Sequence, residues 1–511
     1  MSATATRVQR SRYLDSVELM LVTRTMLQSE GVEFASAVMG TPANVSALHD
    51  QGFAGEELTS ATANDIVLAV RAGDGTSAAD ALELAERTLS ASTVATAEPS
   101  DSLRSLHAAF DALDANVAVV SVAGPYAALE AHKAIGAGLH VLLFSDNVSV
   151  DDEVALKEHA ARAGRLVMGP GAGTASLGGC GLGFANTVRS GHVGIVAAAG
   201  TGAQEAMVLL DRWGEGVSNV IGVGGRDLSE AVAGRGARLA IRALERDPAT
   251  DVVLLVSKPP SPDVVTAVVS ETGAKPLVAA LVGLPRGLPI EGFAAEAPTI
   301  EGGVARVLEL RGGRPPSDWS SWRQEVERAI TGLPSARVTV RGLFSGGTLC
   351  YEALTLMQPL LGPVRSNAPL DERYGLPAPD GAHVCLDLGE EEYTRGRPHP
   401  MIDAEARLDM LAETGRRDDV AVVLLDVVLG HGSHPDPASV LAPACAALRA
   451  ADGPRVIVYV LGTDADPQGL TRQQNAFRDA GCLVAPTSAR AALAAAAIAT
   501  RSPELVEADV R

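Results

Sequence analysis

A chain of 511 residues is long enough for three or four domains with substantial cores. Its net charge of −20, with no basic run to offset it, argues against nucleic acid or an acidic membrane surface as a partner. Hydrophobic residues reach 47% and charged ones 20%, as in a soluble globular protein, but aromatics only 3%, so the cores must be built from Ala, Val and Leu. The five cysteines are far apart with no CxxC, which excludes a zinc ribbon or a disulfide scaffold. Residues 1–12 have no apolar core of the signal-peptide kind, and 491–499 is too short and too weakly apolar to span a bilayer. A cytoplasmic setting is the expectation.

In chain order, residues 1–12 read as disordered. A strand is expected at 13–17, a helix at 18–31 and a second strand at 33–39. Gly40-Thr41-Pro42-Ala43-Asn44 then opens a helix, with proline near its first position. An anion loop there is the weaker reading. A strand at 65–71 and a helix at 77–89 complete a small α+β module, 1–98. Residues 99–167 alternate helix and strand, with parallel strands expected at 116–122, 140–144 and 165–168, a Rossmann-like domain. No GxGxxG is present, so a nicotinamide cofactor has little support. Met168-Gly169-Pro170-Gly171-Ala172-Gly173-Thr174 is either a hinge or an anion turn. Gly169, Pro170 and Gly171 are its candidate cofactor contacts.

The most informative stretch follows. An apolar strand at 193–198 runs into Ala199-Gly200-Thr201-Gly202 and then a helix at 203–213. Strand, glycine turn and helix aim free backbone N–H groups at an anion. The device recurs in Ser345-Gly346-Gly347-Thr348. Thr201 and Thr348, and Glu205 and Glu352, are spaced alike, 147 residues apart in each case (348 − 201 = 352 − 205). Arg246-Asp247-Pro248 before one apolar strand is echoed by Arg417-Asp418-Asp419 before another. Two α/β domains of one kind are therefore expected, at 168–310 and 337–505, joined by a linker at 311–336 with one amphipathic helix. Residues 362–381, rich in Pro and Gly, read as a lid or partner contact.

These segments resemble a known group of proteins. Met168-Gly169-Pro170, Gly191-His192-Val193-Gly194 with Gly200-Thr201, Ile221-Gly222-Val223-Gly224-Gly225 and Arg246-Asp247-Pro248 resemble the α subunit of succinyl-CoA synthetase in order and spacing. The second copy resembles the ligase domain that ends its β subunit. The fused order, with Ser345-Gly346-Gly347-Thr348 and His399-Pro400-Met401-Ile402-Asp403, is similar to the FdrA family along nearly the whole chain. The resemblance implies a Rossmann-like domain of CoA-binding type and two flavodoxin-like ligase domains with parallel sheets. It further implies that the two helix N-termini face each other across a pseudo-twofold and hold an anion.

The departures bear on function. The synthetase's phosphorylated histidine would fall in 275–303, yet no histidine lies between His192 and His383. Its supporting glutamate would fall near Ser257-Lys258-Pro259-Pro260, where no acid stands. The Gly-rich loop for coenzyme A is not visible, so no cofactor is assigned, coenzyme A being the one open possibility. The resemblance implies a subunit of a multi-subunit carbamoyltransferase converting oxalurate and phosphate to oxamate and carbamoyl phosphate. Its partners would be these small anions and the other subunits. The alternatives are an NDP-forming acyl-CoA synthetase-like enzyme lacking the phosphohistidine, and a non-catalytic anion-binding scaffold.

The candidate catalytic residues are His399, His431 and His434, titrating near neutrality, and Cys350, in a first helical turn where a thiolate is stabilised. The anion-binding candidates are Gly200, Thr201, Gly202, Gly346, Gly347 and Thr348, with Arg226 and Arg397 as bidentate clamps. No metal site is assigned, although His431 and His434 with Asp426 and Asp436 have the chemistry for one. Glu205 and Glu352 either brace the facing domain or complement their helix dipoles.

Overall fold

A computed structural model describes residues 3–12, 14, 16–94, 105–284, 291–394, 398–449 and 453–511. They fall into two compact units, one within 1–112 and one made of 113–394 and 399–511.

The first unit is a three-stranded antiparallel sheet of β1 (Ala3–Gln9), β2 (Val32–Met39) and β3 (Ile66–Ala72), in the order β1-β3-β2. Alternation along the central β3 divides its side chains between two cores. Ile66, Leu68 and Val70 pack with Met26, Leu82 and Leu89 of the helices Ser16–Leu27 and Gly75–Val94. Val67 and Ala69 pack on the other face with Leu48, Phe53 and Leu58. Two expectations change here. Residues 3–9 form a strand paired with β3 along its length, from Ala3 opposite Ala72 to Gln9 opposite Ile66. Backbone bonds rather than a run of apolar side chains hold it, so composition does not betray it. The strand expected at 13–17 falls partly outside the described residues, and Ser16 opens a helix. At Thr41 the bland reading holds: its side chain caps the Asn44 N–H, with Pro42 in the first turn.

The second unit contains three sheets. β4 (Val117–Val120), β5 (His140–Leu143) and β6 (Val167–Met168) are parallel, as their alternation with helices requires. β7 (Thr174–Leu177) and β8 (Cys180–Gly183) form a hairpin on the edge of a parallel set. That set comprises β9 (Ser190–Ala198), β10 (Val217–Gly222), β11 (Val252–Ser257), β12 (Leu277–Leu281) and β13 (Ala295–Ala297), and the full order is β13-β12-β11-β9-β10-β7-β8. The third sheet is wholly parallel. It contains β14 (Thr339–Phe344), β15 (Val364–Ser366), β16 (His383–Asp387), β17 (Val420–Val428), β18 (Arg455–Leu461) and β19 (Leu483–Ala485), in the order β15-β16-β14-β17-β18-β19. Setting aside the added β7, β8 and β15, both sheets have the flavodoxin order 2-1-3-4-5. Each therefore has a switch point, between β9 and β11 and between β14 and β17, where ligands bind at strand C-termini.

One apolar core runs through both ligase-type sheets. The helix Ser488–Thr500 lies inside it, buried from Ser488 to Ala499. Its alanines allow backbones to approach closely, so the stretch weighed as a membrane span is a core helix. No helix among the described residues is long and apolar enough to cross a membrane. Within 311–336, the helix Ser320–Ile330 buries Trp322 and Val326 in the same core. The stretch 362–381 is not a free lid. It supplies β15, which pairs with β16 and buries Ser366, followed by a short 3-10 turn.

Candidate active site

The helices Gly200–Arg212 and Gly347–Leu361 begin at equivalent strand ends, after β9 and after β14. Their first turns touch. A Cβ built on Gly346 would lie 2.6 Å from Thr201 Cγ2, and one on Gly202 would lie 2.9 Å from Thr348 Cγ2. Each glycine thus makes room for the threonine of the opposite turn. The sequence reading gave that space to a phosphate; at Gly202 and Gly346 the facing domain takes it. Neither threonine hydroxyl hydrogen-bonds to any described residue.

One turn further on, Glu205 and Glu352 reach across the same pseudo-twofold. Glu352 Oε1 accepts the Ile300 N–H, 2.8 Å away, at the start of the helix Ile300–Leu310. Glu205 lies against Ser488, the start of the equivalent helix of the other domain. Its Oε2 also takes the Tyr459 hydroxyl at 2.5 Å. Glu352 thus bonds the start of a helix of the other domain, Glu205 is buried against the other half through Tyr459, and both glutamates brace the facing domain. Both side chains are fully enclosed, and burial, with the Glu352 charge acting on Glu205, raises their carboxyl pKa values. Glu205 Oε1 and Glu352 Oε2 have no hydrogen-bond partner.

The two switch points differ in charge. Asp426 of β17 accepts the N–H groups of Ser345 (2.7 Å) and Gly346 (3.0 Å) and the Ser345 hydroxyl (3.0 Å). The buried Arg407 lies 3.6 Å from its Oδ1 and also donates to the Asp426 carbonyl. This copy of the turn is thus already filled by a carboxylate. In the first copy Leu255 pairs with Val196 as Leu425 pairs with Leu343, so Val256 holds the register of Asp426. Among the described residues, no carboxylate accepts a hydrogen bond from the turn at Gly200. Such a helix end carries about half a positive charge and favours an anion by ~0.3–1 kcal/mol, up to ~2 when partly buried.

Around the acidic copy, three polar atoms converge. A Cβ on Gly389 would lie 2.8 Å from His399 Nε2, 3.1 Å from Asp387 Oδ1 and 3.1 Å from the Ser345 carbonyl. Asp387, at the end of β16, accepts the Gly389 N–H at 2.9 Å, while its Oδ2 lies against Gly347. Burial, then Glu390, pushes its carboxyl up to about 7. His399 accepts the Met401 N–H at Nδ1, which assigns its proton to Nε2. Burial, then Arg407, lowers its pKa to about 4, so it is a neutral N–H donor at physiological pH. From the other domain, Lys258 follows β11. Its Nζ lies 5.7 Å from the Tyr351 ring centroid, and its charge acts on Asp387.

The remaining sequence candidates separate from this cluster. Arg226 turns away, holding Glu153 at 2.9 Å and the Val148 carbonyl at 2.8 Å. Arg397 lies outside the described residues. Cys350 is a correction: its thiol is completely buried, and burial raises its pKa far above that of a reactive thiol. His434 accepts the Asp436 N–H and braces its loop, while the exposed His431 bridges to Ala185 through its backbone. Gly169 and Gly171 adopt positive φ around a Gly169-Pro170 cis bond. A Cβ on Gly169 would run into the Leu143 carbonyl and one on Gly171 would lie 2.6 Å from Asp146 Oδ1, so the turn packs closely on β5 and the loop after it. Asp387 and Lys258 were missed as site residues. The only sequence signal was the presence of Lys258 where the resemblance calls for an acid.

Comparison with known proteins agrees with this architecture. Residues 1–104 match a family model described as "AllF, heavy metal-associated domain", and residues 343–498 one described as "CoA-ligase". The chain is 37% identical over 506 residues to the uncharacterized protein YahF of Escherichia coli K12, covering 96% of this chain and 97% of that one. It is 31% identical over 212 residues to succinate–CoA ligase [ADP-forming] subunit alpha 2 of Archaeoglobus fulgidus, covering 39% of this chain and 72% of the ligase subunit. The corresponding subunit of Methanothermobacter thermautotrophicus is 29% identical over 161 residues, 31% of this chain and 54% of that subunit, so the alignment spans about half its length. Likeness to YahF from end to end, an AllF-type first module and a CoA-ligase domain lead to one assignment: the chain belongs to the FdrA/AllF-like family, relatives of the succinyl-CoA ligases.

Proposed function

We propose that the chain is the subunit of a carbamoyltransferase that interconverts oxalurate and phosphate with oxamate and carbamoyl phosphate, and that the cluster around Gly389 is its reaction centre. The observation that carries this reading is the pairing of an N–H donor, His399 Nε2, with a carboxyl poised near neutrality, Asp387, on one face of Gly389. Beside them the uncompensated helix end at Gly200 and the Lys258 ammonium supply positive potential for anions.

The chemistry follows from these groups. His399 Nε2–H donates to the carbamoyl oxygen as it gains negative charge. A phosphate oxygen bonds to the carbamoyl carbon, and the bond from that carbon to the oxamate nitrogen breaks. The Asp387 carboxylic acid protonates that nitrogen, and the proton released by hydrogen phosphate returns to Asp387. Atoms, charge and protons balance without a nucleotide. The second reading, acyl-CoA synthetase-like chemistry, draws on the CoA-ligase match at 343–498.

The test is phosphate release from carbamoyl phosphate and oxamate, measured on the chain with and without its co-purifying subunits. Release that needs oxamate and the full assembly is the expected result. Acyl-CoA formation dependent on coenzyme A and nucleotide would replace the proposal by the second reading. Anion binding with no turnover in any assembly would leave a scaffold.

A further inference from the structure

We infer that Phe184, the residue that follows β8, is a positioning residue for His399: its ring fixes the plane of the imidazole that carries Nε2 to Gly389. The inference rests on the reaction centre proposed above and adds to it a residue from the other half of the chain. Among the described residues the imidazole makes one hydrogen bond, at Nδ1 from the Met401 N–H at 3.3 Å. One such bond leaves the ring free to turn about its terminal side-chain torsion, which is broad and soft. A neighbour packed against the ring removes that freedom. Phe184 is in that place, with ring centroids 6.2 Å apart and planes tilted by 39°.

Phe184 is itself held firmly. Its N–H donates to the Gly173 carbonyl at 2.7 Å. A Cβ on Gly173 would lie 3.3 Å from its Cδ2, and one on Gly432 would lie 3.0 Å from its Cδ1. The ring therefore sits between two glycines and takes space that a side chain would fill. Phe144, just after β5, stands beside it with ring centroids 5.8 Å apart. The next two residues tie the segment to the second half. Ala185 exchanges backbone hydrogen bonds with His431, and the buried Asn186 donates to the Leu429 carbonyl at 3.0 Å and to Asp466 at 2.9 Å. Gly173, which the sequence offers as part of a hinge or an anion turn, thus grips a phenyl ring. The charged groups facing His399 are Arg407 and, across Gly389, Asp387. An apolar ring on the remaining side adds to the burial that keeps the imidazole neutral.

Two measurements on the full chain test this. In protein labelled at histidine, the His399 resonance is identified by its loss in His399→Gln and should titrate at about 4 in the wild type. In Phe184→Ala it should move up by about one unit or more, as water reaches the ring. In the carbamoyl-transfer assay on the full assembly, the same variant should lose about 10–100-fold in kcat with KM within about threefold, as for a misaimed donor rather than a lost substrate contact. Phe184→Leu keeps most of the apolar volume and should fold even where Phe184→Ala does not. It should hold the titration within about half a unit of the wild type, yet lower kcat by about three- to tenfold because the flat wall is gone. A ring that merely packs would lower the melting temperature of both variants and move neither quantity. An unshifted His399 titration in Phe184→Ala, wild-type kcat in Phe184→Leu, or a loss carried by KM alone would each overturn the inference. The titration needs no turnover. A shifted titration in an assembly that never releases phosphate would therefore remove the reaction and keep the positioning.

Discussion

The two ligase-type halves share a strand order, a turn and a buried glutamate, yet a single register position separates their electrostatics. Where the first half has Val256, the second has Asp426, which satisfies the Ser345 and Gly346 amides from within. The first half keeps its helix-end potential and adds Lys258. The second adds Asp387 and Glu390. A duplicated module has thus diverged in the charges it places at its two switch points. A glycine turn after a strand is not by itself an anion site: what decides is whether the neighbouring strand end supplies a carboxylate.

The comparison can be broken most severely at Asp426. Asp426→Val, which makes the second half like the first, leaves Arg407 as an uncompensated buried charge and should cost about 3–5 kcal/mol in denaturant unfolding. Asp387→Asn should leave stability intact while lowering the rate of carbamoyl transfer by about 10²–10⁴-fold. In the wild type the same acid role predicts a rate that falls as pH rises past about 7, with His399 unaffected across that range because it ionises only near 4. Gly202→Ala forces a methyl group against Thr348 Cγ2, Ala199 and Val256 and should destabilise by about 1–3 kcal/mol, partly relieved by Thr348→Ser.

The last test concerns Glu205. Its folded pKa of about 8 lies above its ordinary value of 4.5, so the folded chain binds more protons across that range and stability falls as pH rises through it. The groups facing it are Glu352, Tyr459 and Arg212. Glu205→Gln removes the ionisation while its carbonyl still accepts from Tyr459. Melting should match the wild type near pH 5 and be higher near pH 9. An equal slope with pH in both proteins would place the dependence elsewhere.

Much of this arrangement was legible in the sequence because it is carried by local pattern. The common spacing of Thr201 with Glu205 and of Thr348 with Glu352 announced the duplication, and continuous apolar runs announced the parallel strands of the second unit. What escaped depends on a neighbour that the local sequence does not name. Lys258 and Asp387 are single residues at strand ends, and their surroundings come from opposite halves. Cys350 shows the converse. Its first-turn position predicts a thiolate, but the helix rotates Sγ into the apolar core, where burial outweighs the dipole. Gly202 and Gly346 were recognised as places of close approach, although the approaching group is a threonine methyl rather than a phosphate.

The crossed buried contacts have one more consequence. Glu352 accepts the Ile300 N–H at the start of the helix Ile300–Leu310, and Glu205 is held by the Tyr459 hydroxyl of the opposite half. Each helix keeps its own threonine cap, Thr299 or Thr487, but Glu301 of the first half holds both Thr487 and Arg490 of the second. Cleavage of the chain between residues 311 and 319 should therefore yield fragments that are unstable apart yet reassemble stoichiometrically when mixed, an obligate heterodimer held covalently by its tether.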